Sequence, residues 1–224
     1  ARALAIRPKV LLLDEPLSAL DEQTRDELSD ELADIPAQTG ACVVHVCHNL
    51  EEAARLADRV AVLNRGRIVQ VGTAPEVFQR PATRFVAEFV GTRNIFDGTA
   101  QPSRAEGMCE VGIGGRLLLA PDVGLRGAVC AAVRPEEIEV AARDSELVGA
   151  NVFRGRLRKA EDRGAMVHLE LDVGVPLVAL MSRQVYRRAR VKVGDDVRVG
   201  FPPNAVHVFA ADAGEPPEEG TSAD

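Results

Sequence analysis

Apolar residues over the first ninety positions come in short runs separated by stretches of helical periodicity. "VLLLD" at 10–14 is apolar on consecutive positions, the pattern of a strand covered by helices on both faces. "DEQTRDELSDELADI" then sets Leu28, Leu32 and Ile35 at helical spacing, with Asp21 placed to cap the helix. A second strand, "ACVVHVCH", runs into "NLEEAARLAD", where Asn49 and Glu52 have the spacing of a capping box. "RVAVLNRGRIVQVG" is two β-rich runs about an Asn-Arg-Gly-Arg turn and predicts a hairpin. Its expected partner is a helix in "PATRFVAEFVG", where Phe85 with Phe89 and Val86 with Val90 form i, i+4 pairs and Gly91 supplies the stop. Strand and helix alternating in this way predict a parallel α/β layer over residues 1–91.

Past Gly91 the texture changes to short strands punctuated by Gly, Pro and Asp, which predicts an all-β domain over 92–210. It repeats. "NIFDG" at 94–98 returns as "NVFRG" at 151–155, and "VCAAVRPEEIEV" at 129–140 resembles "VRVGFPPNAVHV" at 197–208. The second copy is longer, with the extra length placed in "SRQVYRRARVKVGDD". Two related β units in one chain predict a duplicated small barrel whose halves complete one another.

Composition narrows the function classes. With 224 residues, 46% hydrophobic and 27% charged, the chain has material for two globular cores. Net charge is -7, and the tail 211–224, rich in acids, Pro and Gly, reads as disordered. The one basic cluster, "RRAR" at 187–190, reads as a solvated loop. An acidic chain whose second repeat offers only Phe153, Tyr186, Phe201 and Phe209 as aromatics has no stacking platform, which argues against nucleic acid. Cys42, Cys47, Cys109 and Cys130 show no C-x-x-C spacing, so neither a zinc site nor a disulfide framework is indicated and a reduced, cytosolic protein is expected. No apolar run approaches the roughly 18 residues that cross a bilayer, so any membrane role is expected to run through partners. The chain opens on Ala within a helical pattern, and its natural beginning is expected to lie upstream.

Asp14 and Glu15 close the first strand. Strand carboxyl ends in open parallel sheets are where ligands bind. Two acids there suit Mg²⁺ carried by a nucleotide phosphate, because Mg²⁺ takes one or two carboxylates and keeps several waters. Asp14 would hold the metal and Glu15 would polarise a water for attack on a terminal phosphoryl group.

"LLLDEP", then "LSALD", then after a helix and a strand "CHNLEEA", resembles the Walker B, D-loop and switch-histidine series of ABC transporter ATPase subunits. The resemblance implies the C-terminal part of a P-loop NTPase parallel sheet, with ATP and Mg²⁺ as cofactors. It places the catalytic base on Glu15, the metal on Asp14, the γ-phosphate contact on His48, and on Asp21 the acid that reaches across a dimer. His45 reads as a strand residue. The family usually has Thr and Asp where this chain has Cys47 and Asn49. Neither G-x-x-x-x-G-K-[ST] nor Leu-Ser-Gly-Gly-Gln occurs, and in the family "ARALA" follows the latter by a few residues, so these 224 residues are expected neither to bind ATP normally nor to hydrolyse it alone.

"VRPEEIEV", "NVFRG" and "PPNAVHV" resemble the TOBE accessory domain of importer ATPases, an OB-like β unit, and "FVGTRNIFDG" with "LVALMS" leans toward the molybdate and tungstate branch. The anion-binding mop pattern falls here on Val148 to Asn151 and on Phe201 to Pro203, where both of its cationic side chains are gone, and Ser182 remains as a donor. The resemblance implies an importer subunit on the cytoplasmic face of a bacterial or archaeal membrane. Its partners would be a second ATPase subunit, integral membrane permeases and, indirectly, a solute-binding protein. Polyamine, ferric iron and sugar importers share the architecture. The rival expectation is a non-catalytic regulatory or oxyanion-binding module.

Overall fold

Strand β1 (Val10–Asp14) lies parallel to β2 (Cys42–Val46), with Val10 opposite Cys42 and Asp14 opposite Val46. This is the structure of a computed structural model that describes residues 6–147 and 149–211. The crossover between the strands is α1 (Glu22–Thr39), which starts where Asp21 accepts from the Thr24 amide and ends at Gly40, whose φ of 69° is open to glycine at little cost. Leu28, Leu32 and Ile35 are half-buried, as the helical spacing predicts. α2 (Leu50–Leu56) follows β2, and Arg55 on it donates to Asp26 and Asp30 of α1 at 2.9 and 2.6 Å, joining the two helices.

Cover over this pair of strands differs from the expectation. Leu11 is buried, but Val10, Leu12, Val44 and Val46 are all exposed, Leu12 to 73%. Successive strand side chains point to opposite faces, so among the described residues one face is covered and the other is bare.

The hairpin forms as predicted from β3 (Val60–Asn64) and β4 (Arg67–Gly72). Arg65 and Gly66 both have positive φ, 46° and 76°, the type I′ geometry that matches strand twist. Its covering helix is α3 (Ala74–Gln79), which the hydrophobic pattern does not reveal. Thr73 and Glu76 form a full capping box, and Val77 is completely buried. Gly72 lets α3 sit close, since a Cβ there would stand 3.0 Å from Glu76 Oε2.

Two compact units result, Ala1–Arg80 and Pro81–Asp224. The division differs from the expected one at residue 91 because α4 (Arg84–Phe89) groups with the second unit: Ala87 clusters with Cys130, Ala132 and Phe209. The predicted Phe85–Phe89 pair is stacked at 6.0 Å, and Gly91 follows the helix at φ 86°.

The second unit is two antiparallel five-stranded sheets. The first repeat supplies β5 (Asn94–Pro102), β6 (Met108–Ile113), β7 (Arg116–Pro121), β8 (Gly127–Val133) and β9 (Glu139–Ala142). The second supplies β10 (Asn151–Arg163), β11 (Met166–Asp172), β12 (Pro176–Ser182), β13 (Asp196–Phe201) and β14 (Val206–Ala210). Strand orders are β14-β8-β5-β6-β7 and β12-β11-β10-β13-β9, so each repeat gives its last strand to the other's sheet. A 3₁₀ turn at Pro135–Glu137, and its counterpart at Pro203–Ala205, carries the chain across. The halves complete one another, and Val111, Leu118 and Val129 share one core with Leu157, Leu169 and Val199. The extra length of the second copy is α5 (Arg183–Ala189). The "RRAR" segment is therefore not a loop; Arg187 and Arg188 lie in the last turn of α5. The acidic tail, apart from Ala211, lies outside the described residues, as does Val148.

Candidate active site

β1 and β2 end side by side and present Glu15 and His48 to the same groove. The chain turns sharply at Glu15, whose φ of 44° is left-handed and costs a residue with a Cβ about 1–2 kcal/mol. Local hydrogen bonds hold that conformation. The Glu15 amide donates to Val46 O at 2.9 Å, and the Glu15 carbonyl accepts from the Ser18 amide and hydroxyl at 3.2 and 2.9 Å. With the backbone so fixed, Glu15 Oε1 lies 3.3 Å from His48 Nδ1, and both side chains remain open to water.

The groove, about 590 Å³, is lined by Glu15, Ser18, Arg25, Cys47, His48 and Asn49 among others. Arg25 is a cation that the sequence pattern does not single out. It sits on the first turn of α1, where its guanidinium donates to Leu20 O at 2.8 Å. Asp14 and Asp21 are not among the groove's lining residues. Asp14 is exposed at the end of β1, opposite Val46. Both oxygens of Asp21 are engaged by Thr24, Oδ1 by its amide at 3.0 Å and Oδ2 by its hydroxyl at 2.8 Å. The amide bond first, then the hydroxyl, holds the Asp21 carboxyl below its ordinary pKa.

Asn49 caps α2, its Oδ1 accepting from the Glu51 and Glu52 amides at 2.9 and 3.3 Å. Only half of the expected capping box forms. Glu52 is buried and turns its carboxylate to His45, with Oε1 2.7 Å from Nε2. Beside them the Cys47 thiol is pushed above its usual pKa, first by burial and then by the charges of Glu52 and Glu15.

The donor set fits a nucleotide-bound Mg²⁺ in kind. An exposed aspartate at a strand end can serve as the single protein carboxylate of an ion that keeps most of its waters, and an open glutamate next to it can face one of them. In the second unit the residues at the mop positions have local employment. Ser182 Oγ accepts from the Val185 amide at 3.3 Å and caps α5. Asn151 bonds the backbone of Leu119.

The family described as TOBE domain matches residues 131–209, from inside β8 to inside β14. Residues 131–209 are thus similar to the TOBE family, and 93% of the chain is similar to ATP-binding subunits of ABC importers. The molybdate/tungstate import ATP-binding protein WtpC of Pyrococcus horikoshii is 36% identical over 216 residues, 93% of this chain and 59% of that protein. The sulfate/thiosulfate import ATP-binding protein CysA 2 of Chromobacterium violaceum is 38% identical over 218 residues, 95% of this chain and 58% of that protein. The spermidine/putrescine import ATP-binding protein PotA of Borreliella afzelii is 36% identical over 211 residues, covering 93% and 56%. The chain thus spans less than two thirds of the length of these relatives. A solved structure of the cytoplasmic molybdate-binding protein ModG covers 54% of this chain and 97% of its own, with 18% identity and a TM-score of 0.47. The expected order of the fold stands, an α/β part followed by an all-β domain that matches the TOBE family model.

Proposed function

We propose that this chain supplies the Walker B, D-loop and switch-histidine half of an ATP-hydrolysing importer subunit, with its TOBE domain attached. The observation that carries the reading is the 3.3 Å approach of Glu15 and His48 at the adjoining ends of two parallel strands. Glu15 orients the attacking water and accepts its proton at a carboxylate oxygen. His48, across the groove, positions that carboxylate and offers its imidazole to the terminal phosphate. Asp14 would hold Mg²⁺, which when bound neutralises charge on the phosphate oxygens. Asp21 faces a second subunit, and the two close and reopen a pair of membrane permeases from the cytoplasmic side. The cargo is an oxyanion such as molybdate or tungstate, supported by "LVALMS" and by the similarity to WtpC.

Neither phosphate-loop nor signature motif occurs in these 224 residues, so alone they turn over ATP at the background rate. The test is to join them to the phosphate-loop half of a relative's domain and measure phosphate release. Turnover is expected there, with Glu15→Gln lowering it by about 10²–10⁴-fold while ATP still binds. Turnover undiminished by Glu15→Gln would overturn the assignment. Molybdate uptake by the assembled transporter tests the cargo separately.

A further inference from the structure

His45, Cys47 and Glu52 meet where β2 passes into α2. Positions 45 and 47 share a face by strand alternation, and Glu52, three residues into α2, reaches back to them. His45 Nε2, Cys47 Sγ and Glu52 Oε1 all lie within 4.8 Å of one another. The Glu52 side chain is 7% exposed and that of His45 13%. Nε2 and Oε1 are 2.7 Å apart, an ion pair when the imidazole is protonated, but the contact fails hydrogen-bond geometry, and among the described residues neither atom has another hydrogen-bond partner. Buried polar atoms left in that condition are rare and costly. Proximity alone therefore does not account for the pair.

We propose that these three side chains bind one thiophilic divalent cation, with Zn²⁺ as the type. An imidazole nitrogen, a sulfur and a carboxylate oxygen form a donor set that Zn²⁺ accepts and that Mg²⁺ and Ca²⁺ do not favour. Tetrahedral Zn²⁺ with ordinary bond lengths holds its ligand atoms about 3.3–3.6 Å from one another. The observed spacings, 2.7 Å for one pair and within 4.8 Å for the others, lie about that range. An ion set among the three satisfies both orphaned atoms at once, and the thiol gives up its proton on coordination. Cys47 and Glu52 also line the open groove, which provides a way in and a water for the fourth position. Occupation fastens the end of β2 to the start of α2, the segment that carries His48. The proposal concerns binding without nucleotide and stands apart from the ATPase assignment.

Co²⁺ is the probe, added to the reduced 224-residue chain without nucleotide. One equivalent is expected to give the thiolate-to-cobalt charge-transfer absorption of a tetrahedral site, and Zn²⁺ should displace it. Cys47→Ser should abolish the band, whereas Cys42→Ser, which changes an exposed cysteine, should leave it intact. His45→Phe and Glu52→Gln should each weaken binding about tenfold or more. Circular dichroism of each variant separates loss of a ligand from loss of fold, and the conservative Cys47→Ser decides if Glu52→Gln unfolds. No band at millimolar Co²⁺, or a band that survives Cys47→Ser, overturns the proposal.

Discussion

Asn94 and Asn151, the first residues of the two repeated motifs, clamp each other's half of the β domain. Asn94 Oδ1 accepts from the Val178 amide at 2.7 Å, and its Nδ2 donates to Val178 O at 2.8 Å and Val133 O at 3.0 Å. Asn151 Oδ1 accepts from the Leu119 amide at 2.7 Å, and its Nδ2 donates to Leu119 O at 2.9 Å. Val178 is on β12 and Leu119 on β7, the outermost strands of their sheets. Each carboxamide therefore stands in for one residue of a missing neighbour strand, across the boundary between repeats.

Removing either side chain strands a part-buried amide and carbonyl on the opposite repeat. Asn94→Ala and Asn151→Ala are each expected to cost about 2–4 kcal/mol, read from the urea midpoint of the β domain. Asn94→Asp should do no better, since it keeps the acceptor but loses the donor. Midpoints within error of the parent would show that the clamps carry no stability.

The last residue of the motif answers to sterics. A Cβ on Gly98 would lie 2.8 Å from Gly112 O and 2.9 Å from Val111 Cγ1; on Gly155 it would lie 2.7 Å from Val173 Cγ1 and 2.8 Å from Asp172 O. Gly98→Ala and Gly155→Ala should each destabilise by about 1–3 kcal/mol through forced displacement of the neighbouring strand. Gly112→Ala, whose nearest neighbours would stand at 3.9 Å, is the tolerated control.

Acid should loosen the β domain in a defined window. Hydrogen bonds from Arg126 first, then from the Gly124 amide, hold Asp122 down at about 2 from 3.8. Bonds from Lys159 and Arg163 hold Glu161 at about 2 from 4.5. A depressed folded-state value means that the ionised form favours the fold. That contribution is present above about pH 4.5 and is lost as pH falls toward 2. The melting temperature should decline through this window, and less steeply in Asp122→Asn; equal slopes would remove Asp122 from the account.

The uncovered face of the β1–β2 pair predicts a split result. Leu12→Thr and Val44→Thr, both at exposed positions, should change the stability of this chain by no more than about 0.5 kcal/mol while reducing self-association in sedimentation. When the chain is joined to the phosphate-loop half of a relative's domain, as in the test proposed above, the same changes should destabilise clearly. A large loss in the short chain would mean that the face is already covered.

Where sequence order and spatial order coincide, the pattern was readable. The Asn-Arg-Gly-Arg turn, the Asp21 cap and the Phe85–Phe89 pair are local and formed as expected. The duplication was visible too, because Asn94 with Asn151 and Gly98 with Gly155 answer to the same physics twice. Contacts between elements were less accessible. Asn49 and Glu52 have capping-box spacing, but strand β2 lies near enough for His45 to take the carboxylate. The run "VLLLD" shows that both faces of β1 are apolar without showing what covers each. α3 leaves no periodicity because it has only six residues, although Thr73, Pro75 and Glu76 mark its start. At the candidate site Glu15 and His48 were found through their motifs, whereas Arg25 has no local signature and joins them only through the fold.

The exchange of β9 and β14 has a bearing on how the protein is made. The sheet begun at Asn94 is closed by Val206–Ala210, a strand more than a hundred residues further along the chain, and the second repeat's sheet needs a strand laid down before that repeat begins. Neither half can finish folding while its sister is absent. Pairings so distant in sequence close slowly, which leaves the nascent chain with open sheet edges until residues 206–210 have emerged. A break anywhere between the repeats therefore yields two incomplete sheets rather than two small domains.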